Sequence, residues 1–393
     1  MLDILDKATS GERLTYSEGV KLVGAYCNTP LPLTTLGQAA DMMCQKLHPE
    51  NYRTYAIDRN INYTNICLSK CMFCAFYRDE DSPEAYVISE SELFNKIEET
   101  LRLGGTHILM QGGLAPGLGF DYYLRLLRSI KRRFKIHIHA FSPPEIIHFT
   151  TLNGLSIRDV ILALKDAGLD SVPGGGAEIL VDECRQALSP RKCSVNQWLD
   201  VMREAHRLGM KTTATMMFGH IERPEDRITH LERIRTLQDE TGGFTAFIPW
   251  TFQSKNTQLY SMWNAKFGMQ NTTPTLPSPL EGEGWGEGES SIRNPHSAFG
   301  TGGFEYLKML AISRLYLNNI PNIQASWVTQ GAKIAQLALR FGANDMGSTM
   351  IEENVVRAAG VTYRMNKEEM IRLIEDLGFE AKQRDCLYNE VQT

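Results

Sequence analysis

The stretch 62–78, NYTNICLSKCMFCAFYR, carries three cysteines, Cys67, Cys71 and Cys74, at a Cys-x3-Cys-x2-Cys spacing. Cysteine thiolates are the usual ligands of iron–sulfur clusters. A structural zinc site needs four ligands in a closed tetrahedron, and this sequence has no second Cys-x2-Cys pair to complete one. The spacing therefore favours a 4Fe–4S cluster that is held by three cysteines and has one open iron. Zinc binding and three free thiols are the alternatives.

Around this triplet, the chain alternates between apolar strand-like runs and helical patterns from about residue 55 onward. Eight such strands separated by helices predict a parallel sheet that closes as a (β/α)8 barrel, the TIM-type architecture of the α/β class. An open doubly wound sheet is the alternative. The predicted strands are 55–62, 106–113, 135–143, 169–175, 211–220, 245–252, 323–328 and 343–347.

Helix boundaries are marked by capping signals. A serine followed three residues later by Glu or Gln begins two predicted helices, at Ser89 with Glu92 and at Ser194 with Gln197. In such a capping box, each side chain satisfies a backbone N–H of the first helical turn. Glycines at positions 104, 168, 209 and 342 follow the helical patterns and predict where those helices end.

Three regions are expected on either side of and within the barrel. Residues 1–50 have a helical pattern and predict an N-terminal extension that packs outside a barrel spanning 51–365. Residues 366–393 predict a closing helix followed by a tail. The segment 271–303 is rich in Pro, Gly, Ser and Glu and has no periodicity, so we expect a disordered surface insertion there. A catalytic lid is the alternative.

Charge and hydropathy exclude several classes of partner. The 393 residues carry a net charge of −5 without a basic stripe, so a nucleic-acid partner is not expected. The N-terminus lacks the apolar core of a signal peptide, and no apolar run approaches the ~18 residues of a membrane span. We expect a cytoplasmic location, where reducing conditions suit thiolate ligation. Five further cysteines are expected to be ordinary buried or surface thiols: Cys27, Cys44, Cys184, Cys193 and Cys386.

Polar residues and glycines cluster where the predicted strands end. In (β/α)8 barrels, reactive groups gather at the C-terminal ends of the strands, so this distribution predicts an active site there. After the cysteines of the first strand, the following strands end at Gln111, Gly112 and Gly113; Ser142; Gly174–Gly176 and Glu178; Gly219, His220 and Glu222; Thr251, Gln253 and Asn256; Ser326 and Gln330; and Asn344 and Asp345.

With the aromatic Phe73 before its last cysteine, the triplet resembles the signature of the radical S-adenosylmethionine (SAM) superfamily. The resemblance implies that the open iron binds the amino and carboxylate groups of SAM. It also implies that an electron from the cluster cleaves SAM to release a 5′-deoxyadenosyl radical. The protein would then supply positioning and exclusion of water.

The same resemblance suggests further SAM contacts. Gln111, Gly112 and Gly113 resemble the superfamily's glycine motif after strand two, whose backbone oxygens accept from the SAM ammonium; an ordinary turn is the alternative. Glu178 could accept from both ribose hydroxyls, or be a solvated helix start. Arg185 is a weaker candidate for the SAM carboxylate.

Several longer stretches resemble one family, the cyclic dehypoxanthine futalosine synthases of menaquinone biosynthesis. They include RNINYTNIC, CMFCAFYR, HAFSPPEI, SVPGGGAEIL, IPWTFQ and the run 324–360. The resemblance implies that the radical abstracts hydrogen from C4′ of the ribose of dehypoxanthine futalosine, after which the substrate radical attacks the benzoate ring. The closed ring then loses an electron and a proton. A flavodoxin or ferredoxin would be the electron donor.

The alternatives are aminofutalosine synthase, a deazaflavin (FO) synthase-like radical SAM enzyme, and a non-catalytic barrel with a structural metal. Within the cyclase resemblance, the final deprotonation needs a base. Packing or loop anchoring remains open for His220, Tyr77 and Arg78. The candidate catalytic residues are Asp345, His220 and Tyr77, and the candidate substrate-binding residues are Arg78, Asn344, Gln253 and Ser326.

Overall fold

The computed structural model describes residues 1–24, 31–267 and 301–392. Most of its strands match the predicted ones to within a few residues. The strands in these ranges are β1 (Tyr52–Ala56), β2 (Asp58–Asn62), β3 (His107–Gln111), β4 (His137–Ala140), β5 (Ser171–Val172), β6 (Lys211–Phe218), β7 (Phe244–Thr251), β8 (Asn322–Ile323), β9 (Asp345–Ser348) and β10 (Glu380–Gln383).

The strands close into a barrel. β2 to β8 form a parallel seven-stranded sheet in chain order. β2 continues from β1 after Ile57, and β1 pairs in parallel with β9. A parallel bridge between Gln324 and Asp345 joins the end of β8 to β9. Because β1 and β2 act as one strand, the ring contains eight strands, and the predicted (β/α)8 fold is confirmed.

The helices surround this sheet and follow the capping signals. Ser194 and Gln197 form the reciprocal capping box at the start of α9, and the Ser89 side chain accepts from the Glu92 N–H at the start of α4. The helices are α1 (Leu2–Ser10), α2 (Tyr16–Gly24), α3 (Leu33–Leu47), α4 (Glu90–Arg102), α5 (Phe120–Arg133), α6 (Pro143–Asn153), α7 (Ile157–Ala167), α8 (Asp182–Leu188), α9 (Val195–Arg207), α10 (Pro224–Thr241), α11 (Gln258–Phe267), α12 (Gly303–Tyr316), α13 (Trp327–Gln330), α14 (Ala332–Ala338), α15 (Val355–Ala358) and α16 (Lys367–Glu375). Within the ranges that the structure describes, no helix has the length and apolarity needed to cross a bilayer.

Alternation along the strands divides an apolar shell from a polar lumen. Ile108 and Ile138 are fully buried and belong to the main hydrophobic core. Burying one such side chain contributes roughly 1.5–3 kcal/mol. Their neighbours His107, Leu109 and His139 line the lumen instead. A barrel interior is usually filled by bulky branched residues, so this polar lining indicates a binding chamber.

The two ends of the chain pack differently from each other. In the N-terminal extension, α3 packs on α12 and α2 on α10, outside the barrel. At the other end, α16 occupies the predicted closing-helix region, but the chain then adds an unpredicted strand. β10 pairs in parallel with β1, from Tyr52 opposite Glu380 to Tyr55 opposite Gln383. The predicted disorder at 271–303 falls almost wholly on residues 268–300, which lie outside the described residues.

Candidate active site

The three cysteines lie on the loop that follows β2, at the C-terminal end of the barrel. All three are free; Cys71 is buried, and Cys67 and Cys74 are partly exposed. Burial, helped by the neighbouring Cys71, raises the pKa of Cys74 to about 11, while backbone N–H groups of Phe76 and Tyr77 hydrogen-bond its sulfur and oppose the rise. Burial also raises the pKa of Cys71. The loop therefore gathers three thiols and provides N–H donors that favour the thiolate.

These thiols fit a cluster better than a single ion. Among the residues that the structure describes, no three His, Cys, Asp or Glu side chains are grouped closely enough to hold one metal ion. In a 4Fe–4S cluster each cysteine binds its own iron, so its ligands stand farther apart. Three thiols with no fourth protein ligand beside them match the predicted donor set for a cluster with one open iron.

Arg78 braces this loop. Its Nη1 donates to the backbone oxygens of Ala75 at 3.0 Å and Tyr77 at 2.8 Å, and its Nε donates to Glu84 at 2.5 Å. The backbone N–H of Arg78 also donates to Asn65. These contacts place Arg78 in the anchoring role that was the alternative to substrate binding. The Tyr77 side chain is partly exposed on the same loop.

The glycine turn after β3 packs directly against the cysteine loop. A Cβ atom on Gly113 would lie 2.1 Å from the carbonyl oxygen of Ile66 and 2.8 Å from Cβ of Cys67. A Cβ on Gly112 would meet the Tyr63 ring at 2.5 Å, and the Gly112 N–H donates to Glu145. Glycine is therefore required at both positions by packing alone. Gln111 ends β3 and lines the lumen.

A buried charged group faces the cysteines from the loop after β5. Glu178 is buried and has a positive φ of 42°, a conformation that costs a non-glycine residue roughly 1–3 kcal/mol. Its carboxylate accepts from Lys192 at 2.9 Å, and the Lys192 ammonium lies 5.3 Å from the centre of the Phe73 ring. Burial lowers the pKa of Lys192, but the charges of Glu178 and Cys71 outweigh it and raise that pKa. Lys192 is thus a cation next to the cluster loop that the sequence analysis missed.

Arg185 is fully engaged within the protein. Its guanidinium donates to the backbone oxygens of Cys193, Gly176 and Ala177 at 2.6–3.1 Å and lies 3.5 Å from Glu178. The structure thus places it as a brace for the glycine loop 174–176. This differs from the predicted contact with the SAM carboxylate, because each of those N–H groups already has an acceptor.

The barrel lumen holds a cavity of about 270 Å³ that runs from Gln111 and Glu178 down to the opposite end of the barrel. Its walls combine hydroxyl, imidazole and carboxyl groups with two indole rings. Members of the lining are Asp58, Asn60, His107, His139, Thr213, Thr215, Trp250, Ser326, Trp327, Thr329, Glu353 and Arg384. This set can surround a polar small molecule that also carries a flat ring.

The two predicted bases do not line this cavity. Asp345 is completely buried and pairs with Arg384 through both oxygens, while also accepting from the hydroxyl of Thr54 at 2.5 Å. The His220 ring lies against Glu222 at 2.9 Å and against the backbone oxygen of Met217 at 3.1 Å. These contacts occupy the atoms that would take a proton, so the geometry favours structural roles for both residues.

The predicted substrate binders are also separated. Ser326 lines the cavity and hydrogen-bonds Thr329 through its hydroxyl. Asn344 is buried outside the lining, and its amide contacts Arg314 and Asn322. Gln253 folds back onto the backbone oxygen and hydroxyl of Thr251 at the end of β7.

Two histidines of β4 escaped the sequence analysis, and one of them, His139, lines the lumen. His137 and His139 alternate with isoleucine in the run KIHIHAF, which was assigned only to a strand. Because alternate residues of a strand share one face, two histidines at that spacing are a signal for a polar wall. Arg384 left no such signal, since it reaches the lumen from a segment predicted as tail.

Two family profiles and several known proteins match this chain. The radical SAM superfamily profile matches residues 61–234, and the profile described as the CofH/MqnC C-terminal region matches residues 292–393. The cyclic dehypoxanthine futalosine synthase of Halalkalibacterium halodurans is 43% identical over 391 residues, covering 99% of this chain and 95% of that protein. The enzyme of that name from Streptomyces coelicolor is 38% identical, covering 99% and 88%.

A differently named relative is nearly as similar. The 5-amino-6-(D-ribitylamino)uracil–L-tyrosine 4-hydroxyphenyl transferase of Archaeoglobus fulgidus is 42% identical over 340 residues, covering 86% of this chain and 88% of that protein. Among solved structures, methylornithine synthase superposes with a TM-score of 0.66 at 16% identity, covering 96% of this chain and 97% of that chain. The FeFe-hydrogenase maturase of Carboxydothermus hydrogenoformans gives 0.68 at 14% identity, covering 98% and 80%. At these identities the likeness concerns the fold.

Proposed function

Because this chain belongs to the radical SAM superfamily, in the family that includes the cyclic dehypoxanthine futalosine synthases, we propose that it closes a ring in dehypoxanthine futalosine. Membership makes it a radical SAM enzyme that uses a 4Fe–4S cluster and SAM. The observation that carries the proposed substrate is the 43% identity to a cyclase over nearly the whole length of both chains. The polar lumen supports it, since a ribose and an aromatic ring need hydroxyl partners and flat apolar walls.

When bound, the cluster and SAM supply a 5′-deoxyadenosyl radical and take back the electron that the closed ring loses. In this proposal Cys67, Cys71 and Cys74 hold the cluster. Glu178 accepts from SAM hydroxyls, and Lys192 places a positive charge at the same end of the lumen. Burial and the ion pair orient both side chains before any ligand arrives.

The lumen cavity would hold the substrate. Hydroxyls of Thr213, Thr215 and Ser326 offer hydrogen bonds to the ribose, and the Trp250 and Trp327 rings provide apolar walls. A hydrogen bond fixes the Trp327 ring, because its indole N–H donates to the backbone oxygen of Ser348 at 2.8 Å. The walls of the lumen separate a substrate radical from other molecules in solution with which it would react. Further parts of the proposal are a reducing cytoplasmic setting and a flavodoxin- or ferredoxin-type electron donor.

A second candidate is the 4-hydroxyphenyl transferase activity, because those relatives reach 42% identity. Parallel anaerobic reactions with SAM and a reductant separate the two. One contains dehypoxanthine futalosine, and the other contains 5-amino-6-(D-ribitylamino)uracil with tyrosine. We expect 5′-deoxyadenosine and a product two hydrogen atoms lighter than the substrate in the first reaction alone. A joined product in the second, with the first substrate untouched, overturns the proposed substrate.

Aminofutalosine synthase is distinguished by the fate of the adenosyl group. The cyclase releases 5′-deoxyadenosine, whereas aminofutalosine synthase adds the adenosyl radical to its substrate and keeps it. Mass analysis of the products therefore shows whether the adenosyl group is released as 5′-deoxyadenosine or retained in the product. The Cys71→Ala variant serves as the control, because it removes one cluster ligand and should abolish SAM cleavage in every reaction.

A further inference from the structure

Three side chains of β4 and β5 form a continuous hydrogen-bonded line that starts at the lumen. His139 on β4 stands directly opposite Ser171 on β5 in the strand register. The Ser171 hydroxyl lies 2.7 Å from Nδ1 of His139 and 2.7 Å from Nε2 of His137. One hydroxyl thus joins a nitrogen of each ring, and it can donate to either while accepting from the other.

The two ends of this line open onto different spaces. His139 lines the reaction cavity, and since its Nδ1 is taken by Ser171, Nε2 is the ring nitrogen turned toward the cavity. His137 lines a different, open pocket on the outside of the barrel, together with Lys131 and Asp170. The line therefore connects the lumen cavity to the surface at the end of the barrel opposite the cysteines.

Both rings are held neutral, as a relay through tautomers requires. Burial lowers the pKa of His139 well below its usual range, and the nearby His107, His137 and Arg384 add to this effect. Burial lowers the pKa of His137 to about 4. Asp170 and Asp385 act against that shift and His107 and Lys131 act with it.

Two other titratable side chains of the lumen, those of His107 and Glu353, are hydrogen-bonded within the protein. Nε2 of His107 lies 3.2 Å from Asp58, and its Nδ1 lies 2.9 Å from the hydroxyl of Thr106. Glu353 accepts from the side chain of Asn60 and from two backbone N–H groups. His139 differs from these groups because its cavity-facing nitrogen has no hydrogen-bond partner among the residues the structure describes.

Resting on the proposed function, we propose that His139 is the base that deprotonates the closing ring, and that Ser171 and His137 carry the proton out. The ring C–H bond breaks, its electron pair stays in the ring and restores aromaticity, and its proton binds Nε2 of His139. The unpaired electron would be taken up by the oxidant that the bound cluster supplies. His139 then passes its Nδ1 proton to the Ser171 oxygen, and the serine hydroxyl proton moves to Nε2 of His137. His137 releases its Nδ1 proton to water in the outer pocket. Every group ends neutral, with both tautomers exchanged.

The test compares His139→Gln, Ser171→Ala and Ser171→Thr with the parent enzyme. His139→Gln and Ser171→Ala should release 5′-deoxyadenosine at close to the parental rate but form cyclised product at least about tenfold more slowly, within the range for loss of a general base. Ser171→Thr keeps the hydroxyl and should restore product formation. His206→Gln is the matched control, because His206 also lies between two hydroxyls, those of Thr241 and Thr212, away from the cavity.

A second readout does not depend on turnover. Nitrogen-15 NMR of the histidine rings, recorded without cofactors, should show neutral His137 and His139 whose tautomers both change in Ser171→Ala. Unchanged product formation in both His139→Gln and Ser171→Ala overturns the relay and leaves the proposed function intact. If the parent enzyme does not cyclise dehypoxanthine futalosine, the proposed function fails. The NMR result then shows separately whether the tautomers of His137 and His139 both depend on Ser171. If the tautomers do not change in Ser171→Ala, the relay is overturned.

Discussion

Replacing Gly113 by serine should prevent the cysteine loop from holding its cluster. The added Cβ would sit 2.1 Å from the carbonyl oxygen of Ile66, whereas ordinary contacts begin near 3.4 Å. The loop or β3 must therefore shift by about 1.3 Å, the difference between those distances. The nearest neighbours are two backbone atoms of Ile66 and Cβ of Cys67, so the shift cannot be absorbed by rotating a flexible side chain.

The expected cost to folding is that of an overpacked site, about 1–3 kcal/mol. The displacement at the ligands matters more, because Cys67 follows Ile66 directly in the chain, whereas the sulfur of Cys74 is held by the backbone N–H groups of Phe76 and Tyr77. We expect the variant to fold with the parental circular dichroism but to take up less than half of the parental iron in anaerobic reconstitution. Iron and sulfide content per chain and visible absorbance measure this.

Gly119→Ser is the matched control. It makes the same substitution in the same connection between β3 and α5, at an N-cap position that favours serine, and its Cβ meets no atom within 4 Å. Its iron content should equal that of the parent. If Gly113→Ser also binds parental amounts of iron, the contact between the glycine turn and the cysteine loop does not control the site, and the reasoning is refuted.

Three further variants test other parts of the structure. Cys71→Ala should lose cluster and SAM cleavage while keeping its fold, and parental iron content in that variant would contradict the ligand assignment. Asp345→Asn should lower the free energy of unfolding by about 3–5 kcal/mol, measured by denaturant unfolding of iron-free protein, because it leaves the Arg384 charge buried and unpaired; a change below 1 kcal/mol would argue against a buried pair. Glu18 has its pKa lowered to about 2 by hydrogen bonds from Thr15 and Lys7, so its stabilising effect is present above its ordinary pKa of 4.5 and lost as pH falls toward 2. Glu18→Gln should remove that part of the acid dependence, and an unchanged stability profile between these pH values would contradict it.

The fold could be predicted from the sequence because the signals that mark its helices and strands are local. Period-two runs and serine or glycine caps mark strands and helices within a few residues, and the Cys-x3-Cys-x2-Cys spacing brings its own ligands together. The site was harder to predict because strand order alone places side chains at a barrel end without saying which of them turn inward. Asp345 lies where that rule predicts a functional residue, yet its carboxylate pairs with Arg384, which is 39 residues away in sequence.

Contacts of that range leave no pattern to read. Lys192 reaches Glu178 only because the loop after β5 and the segment between α8 and α9 fold toward each other beside the cysteines. His139 is the opposite case, since the alternation in KIHIHAF was visible and only its meaning was missed. Features that depend on residues within one helix or strand could be predicted from the sequence. Contacts between side chains of different elements required the structure.

The addition of β10 beside β1 has a consequence for how the enzyme is made. Arg384, Cys386 and Tyr388, which follow that strand, line the lower end of the lumen. During synthesis, all the strands of the ring leave the ribosome before residues 380–388 emerge. Until then the chamber is a tube open at its base, and water can enter beside His139. A nascent or C-terminally shortened chain would thus contain the ring of strands and the three cysteines but would leave the lumen open at its base. Any radical formed inside would then be exposed to solvent. Residues 380–388 therefore complete the protection of the lumen after the barrel itself has formed.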